Sequence, residues 1–98
     1  MYLAFGNGRL ESASLKVADA VRFFGPIIGR RYIQRMAILR ATESFDQLYG
    51  LRALRLHQLR GDRAGQYAIS LNGNFRMILE RIDDDGIRIL GVEDYHGN

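Results

Sequence analysis

The sequence contains no cysteine, so it can form neither a disulfide nor a thiolate metal site. Histidine occurs only at His57 and His96. Two imidazoles fall short of the three or four ligands of a zinc site, and no metal or other cofactor is expected. No apolar run approaches the roughly 20 residues that cross a bilayer, so no membrane partner is expected. Met1-Tyr2-Leu3-Ala4-Phe5 lacks the basic start and longer apolar region of a secretory leader and reads as a strand. The expected compartment is therefore the cytoplasm. No segment matches a glycine-rich nucleotide-binding fingerprint.

What the chain does have is arginine. Of its 14 basic residues only Lys16 is a lysine. Residues 1–82 carry 13 basic and 6 acidic side chains, a net +7, whereas residues 83–98 set Arg88 against five acids, a net −4. Arginine binds phosphate bidentately and stacks on bases, so a basic surface of this kind suits nucleic acid or an acidic protein. Composition leaves open the plainer reading, a genomic bias towards arginine codons. The 98 residues fit one domain, 1–98, long enough to bury one core.

Tyr2 to Phe5 predicts a short strand, ended by a Gly6-Asn7-Gly8 turn. From Ser14, a candidate N-cap, the spacing of Leu15, Ala18, Val21 and Phe24 predicts a helix that stops at Gly25-Pro26. Pro26 then opens a second helix to Ala41, with Ile28, Tyr32, Met36 and Leu39 on its buried face and Arg30, Arg31, Arg35 and Arg40 elsewhere around it. Ser44 is a candidate cap for a short turn through Leu48. Leu54 to Leu59 alternates with period two, as do Tyr67, Ile69 and Leu71. Asn72-Gly73 predicts a two-residue hairpin turn into a strand from Phe75 to Ile82, and Asp83-Asp84-Asp85-Gly86 a turn into a last strand, Ile87 to Val92. The expected fold is α+β: an N-terminal strand, a two-helix hairpin, then a mainly antiparallel sheet of three further strands.

A histidine pair can supply both an acid and a base near neutrality. Cleavage of RNA by its own 2′-hydroxyl needs those roles, plus a cation to steady the phosphate. His57, His96 and nearby arginines have the required chemistry, although spacing alone favours a half-exposed strand histidine and a tail histidine. Glu93-Asp94-Tyr95-His96 joins acids, an aromatic and an imidazole beside the terminus. Arg60, Arg63 and Arg76 fall on or beside the expected sheet, as phosphate ligands or as solvated strand arginines.

Three separated segments carry a resemblance. Leu56-His57-Gln58-Leu59-Arg60-Gly61-Asp62-Arg63-Ala64-Gly65-Gln66-Tyr67-Ala68-Ile69 is similar to the L-H-P-L-K-G-D-R-x-G-x-W-x-I segment of HigB-type toxins, the plasmid maintenance system killer proteins of the RelE/ParE superfamily. Asn72-Gly73-Asn74-Phe75-Arg76-Met77 resembles their N-x-x-W/Y-R-I/L strand, and Gly91-Val92-Glu93-Asp94-Tyr95-His96 their closing I/V-x-D-Y-H. Residues 8–50 resemble the family more loosely, through Gly8-Arg9-Leu10-Glu11 and the helical hairpin.

The resemblance implies a RelE-like fold and metal-independent cleavage of messenger RNA, typically in the ribosomal A site. It implies His57, Asp94, Tyr95 and His96 as the catalytic set and Arg60, Arg63 and Arg76 as RNA or phosphate ligands. His96 or Asp94 is taken as base and His57 as acid, a division the motif itself leaves open. Gln58 replaces the family's proline and Arg60 its lysine. Arginine keeps its proton at neutral pH, so Arg60 can stabilise charge but cannot act as the acid. The implied partners are a HigA-like helix-turn-helix antitoxin, the ribosome and mRNA. Two alternatives stand beside this reading, a ParE-like gyrase poison on the same fold and an inactive homologue that only holds an antitoxin.

Overall fold

A computed structural model describes residues 1–94; Tyr95 and His96, two members of the expected catalytic set, lie outside the described residues. In chain order the elements are β1 (Tyr2–Phe5), α1 (Gly8–Leu15), α2 (Val17–Phe24), α3 (Pro26–Ala41), 3-10 turns at Phe45–Gly50 and Arg52–Leu54, β2 (His57–Gln58), a 3-10 turn at Gly61–Arg63, β3 (Gln66–Ser70), β4 (Phe75–Asp83) and β5 (Gly86–Asp94). The α+β class is as expected. The element order is not: three helices replace two, and four strands rather than three follow them.

The extra helix comes from reading a cap as a turn. Asn7 has extended backbone and its side-chain oxygen accepts from the Leu10 amide at 2.9 Å, the geometry of an N-cap. Ser14, expected as a cap, lies inside α1, where its hydroxyl donates to the Glu11 carbonyl. Lys16 is extended and separates α1 from α2, while Ser12 donates a hydrogen bond to Asp19 across the break. Two short helices at an angle do not share one face. Leu15 is therefore 69% exposed and Ala18 is exposed, and Leu10, Ala13 and Ala20 are buried in their place.

Gly25 ends α2 at φ 84, a conformation glycine adopts without strain, and Pro26 starts α3. Ile28, Tyr32, Met36 and Leu39 bury their face as expected. Gly29 lets α2 and α3 touch, since a Cβ there would lie 2.6 Å from the Ala20 carbonyl carbon and oxygen. One expectation for α3 fails. Arg35 is not on the solvent side but only 6% exposed, with Nε donating to the Ser70 carbonyl at 2.9 Å and Nη2 to that of Ala53 at 3.4 Å. Residue 35 follows residue 28 by seven positions, which returns it to the buried face.

The strands form one sheet in the order β1-β5-β4-β3-β2. β1 runs parallel to β5, and the other three pairings are antiparallel, so the sheet is mixed. The expected strand over 54–59 shrinks to two residues, because Arg52–Leu54 forms a 3-10 turn and Arg55 is left-handed at φ 51. The Asn72 turn takes four residues, 71–74, rather than two. The Asn72 side chain accepts from the amides of Asn74 and Phe75, both at 2.8 Å, and does the work of turn backbone.

The helices pack against one sheet face, where Ile69, Leu71, Met77, Leu79, Ile87 and Ile89 join the core. On the other face the register aligns His57, Ala68, Ile78 and Gly91 in one row and Ser70, Arg76 and Glu93 in the next. No helix among the described residues is long and apolar enough to cross a membrane.

Replacing Gly29 by alanine is expected to lower stability by about 1–3 kcal/mol, because the added methyl meets the rigid backbone of α2. Urea unfolding of Gly29→Ala against the parent chain measures this; an unchanged midpoint would mean that the two helices are not in contact at that point.

Candidate active site

His57 owes its orientation to the residue two positions before it. Arg55 turns its carbonyl to within 3.0 Å of His57 Nδ1. A carbonyl only accepts, so Nδ1 carries the hydrogen and Nε2 is left as the nitrogen that gains or loses a proton. Arg55, His57, Ser70 and Arg76 line a cleft of about 110 Å³ on the sheet face away from the helices. Ser70 is held from both ends: its hydroxyl donates to the Asn72 carbonyl at 3.1 Å, and its own carbonyl accepts from Arg35. Arg35 thus ties the 52–54 turn, which leads into Arg55, to the β3 wall of the same cleft.

Behind the cleft lies an ion-pair cluster. Glu93 accepts from Arg63 Nη1 at 2.9 Å and Nη2 at 2.6 Å, a bidentate pair, and from Arg76 Nη2 at 3.5 Å. Arg63 Nε donates to the Gln66 side chain at 3.0 Å. The hydrogen bonds from Arg63 hold the Glu93 carboxyl below the usual carboxylate range, and the same pairing pushes Arg63 up. Positive charge at Arg76 is partly offset, and the Arg76 guanidinium is anchored from the side away from Ser70.

The structure brings together His57 and Arg76 of the residues expected from sequence. Arg60 is exposed, three residues beyond His57. Arg63 reaches towards Glu93 rather than outward. Asp94 pairs in register with Phe75, one residue out of step with the Arg76–Glu93 row, so strand alternation assigns it to the helix-facing side. Sequence reasoning missed three contributors. Glu93 was named only as one of the acids of the Glu93-Asp94-Tyr95-His96 cluster, with no partner assigned to it. Arg35 was visible through helical periodicity had polar residues been counted. Arg55 gave no signal, since a left-handed arginine has no sequence signature. A larger concavity of about 450 Å³ opens between the helices and the sheet edge, lined by Arg9, Phe23, Phe24, Ile28, Phe75 and Val92 among others. None of its described lining residues is a carboxylate or imidazole.

No family model matches the chain. A stretch of 42 residues is 43% identical to Endoribonuclease HigB of Proteus vulgaris, and the match spans 43% of this chain and 45% of that protein, less than half of either. The YoeB/ParE toxin of Agrobacterium tumefaciens superposes with a TM-score of 0.56 at 9% identity, covering 98% of this chain and 100% of that one. The YoeB dimer of Staphylococcus aureus gives 0.55 at 15% identity, covering 98% and 97%. At such identities the two structures speak for the fold alone: an α+β domain of the kind these small toxins have. The fold is thus one that these small toxins share, and the local sequence likeness is to a protein named HigB.

Glu93 generates a pH prediction. Its carboxyl is held down in the folded chain, so its contribution is fully present above the ordinary carboxylate range and is lost as pH falls through and below that range. The stability gap between the parent and Glu93→Gln is expected to be widest near neutrality and to narrow as pH falls through and below the ordinary carboxylate range. Thermal melts across pH measure it, and a gap of constant size would remove the assigned cause. Arg35→Met strips the donor from two carbonyls and is expected to cost about 1–3 kcal/mol in urea unfolding. Arg35→Lys recovers only part of that, because one ammonium cannot reproduce the planar fork; equal stability of all three chains would show that the bridge holds nothing.

Proposed function

We propose that the chain is the toxin half of a type II toxin–antitoxin pair, of the HigB branch, and acts as a metal-independent endoribonuclease on mRNA in the ribosome. The observation that carries this reading is His57 with Nδ1 turned to backbone, set in a cleft opposite the guanidinium of Arg76. The 43% identical stretch shared with a protein named an endoribonuclease supports the same chemistry.

In that reaction the 2′-oxygen of a ribose attacks the adjacent phosphorus and the bond to the 5′-oxygen breaks. His96 takes the 2′-hydroxyl proton, since strand alternation assigns Asp94, the other candidate base, to the helix-facing side of β5. His57, as imidazolium, gives the Nε2 proton to the leaving oxygen. Arg76 and Arg60 steady the charge on the phosphate oxygens, and Arg63 contributes through Glu93, which braces Arg76. Tyr95 stacks on a base or donates a hydrogen bond. A helix-turn-helix antitoxin neutralises the activity.

The test is in vitro translation with mapping of mRNA 5′ ends. The parent chain is expected to create new 5′ ends. His57→Ala and His96→Ala are each expected to slow cleavage about 100-fold or more, the usual weight of one general acid or base. Undiminished cleavage by His57→Ala would overturn the assignment. Inhibition of gyrase supercoiling without mRNA cleavage would replace it with the gyrase-poison reading, and harmless expression without an antitoxin would leave only a binding role.

A further inference from the structure

We infer that Arg55 is a phosphate-contacting residue of the cleft, whose ligand is a phosphodiester of single-stranded RNA. The nature of that ligand rests on the ribonuclease reading; the anion site rests on the geometry.

The backbone and the side chain of Arg55 have separate tasks. The carbonyl orients His57, and to reach it the residue sits at φ 51, ψ 44. It is the one non-glycine residue with positive φ among the described residues. This conformation costs an L residue about 1–2 kcal/mol, and a glycine would supply the same carbonyl without that cost. The orienting task therefore does not account for an arginine. Non-glycine strain of this kind clusters at functional sites, which directs attention to the side chain.

Arg55 lines the same small cleft as His57, Ser70 and Arg76, and the residue is exposed. Arg76 has Glu93 beside it, whereas no carboxylate among the described residues pairs with Arg55. Two arginines line one cleft of about 110 Å³, and the one without a carboxylate partner among the described residues leaves the cleft with a charge that an anionic ligand would complement. A phosphate group meets that need and matches the planar donor fork of arginine. Because His57 Nδ1 is occupied by the Arg55 carbonyl, Nε2 is the ring nitrogen available to such a ligand. One residue would thus set the histidine tautomer and hold the phosphate on which that histidine acts.

The design of the test follows from the left-handed backbone. Arg55→Gly keeps the carbonyl, relieves the strain and removes only the guanidinium. Arg55→Asn, also tolerant of this conformation, serves as a second variant should the glycine chain loosen. The probe is a labelled 2′-O-methyl RNA hexamer, which cannot be cleaved, followed by fluorescence anisotropy from about 50 to 200 mM salt. Both variants are expected to melt at or above the parent temperature. They are expected to bind about tenfold more weakly at low salt and to lose about one unit of the salt slope, with Arg55→Lys recovering most of the affinity. Equal affinity and slope in parent, Arg55→Gly and Arg55→Asn, including no binding by any of them, would overturn the inference. If His57→Ala abolishes mRNA cleavage while the Arg55 variants bind as the parent does, the ribonuclease reading stands and this inference fails. If His57→Ala cleaves normally and the Arg55 variants lose affinity, the anion site stands without that mechanism.

Discussion

A buried guanidinium with no carboxylate beside it among the described residues is a costly feature, and Arg35 is one. Burial lowers its proton affinity, and the neighbouring Arg31 adds to that effect. The compensation comes from two backbone carbonyls, those of Ser70 at the end of β3 and Ala53 in the turn before β2. Helix, turn and strand meet at this one planar group. Beside it, the segment from Arg52 to Gln58 is attached by the buried Leu54, the partly buried Leu56 and a two-residue strand. The left-handed Arg55, the carbonyl it turns to His57, and the cleft that follows all stand on that attachment.

The second organising feature is the division of charge across the open sheet face. An arginine-rich chain that simply displayed its cations would bind anions indiscriminately. Here Glu93 takes up Arg63 and leans on Arg76, so part of the positive potential is spent within the protein and Arg55 and Arg76 line the cleft with His57. The acidic bias of residues 83–98 thus has a structural use: one of its carboxylates, carried by β5, reaches the arginines of the preceding strands through the register of the sheet.

Much of this was legible beforehand where the signal was local and periodic. The buried face of α3, the hairpin between β4 and β5 and the Gly25-Pro26 junction follow from spacing and backbone chemistry. The failures share a cause. Asn7 looked like a turn because asparagine serves turns and caps alike, and only the Leu10 amide decides between them. The Leu15–Phe24 pattern looked continuous because a period does not register a break at one extended residue, Lys16. Leu54–Leu59 alternates like a strand, yet the αL turn at Arg55 is invisible to alternation.

By itself the sequence determined the chemical inventory: an α+β chain without thiols, rich in arginine, with imidazoles placed in motifs that resemble one toxin family. Those properties reside in side-chain identity and in short-range periodicity, both of which survive being read in one dimension. Only the tertiary structure decided which groups meet. That Arg55 and Arg76 line one cleft with His57, that Arg63 turns inward to Glu93, and that Asp94 falls on the alternate face are consequences of strand register and of one left-handed residue. A shift of one position moves every side chain to the opposite side of a sheet. Contacts of that kind are set by the summed packing of the whole core, and no single stretch of the chain carries them.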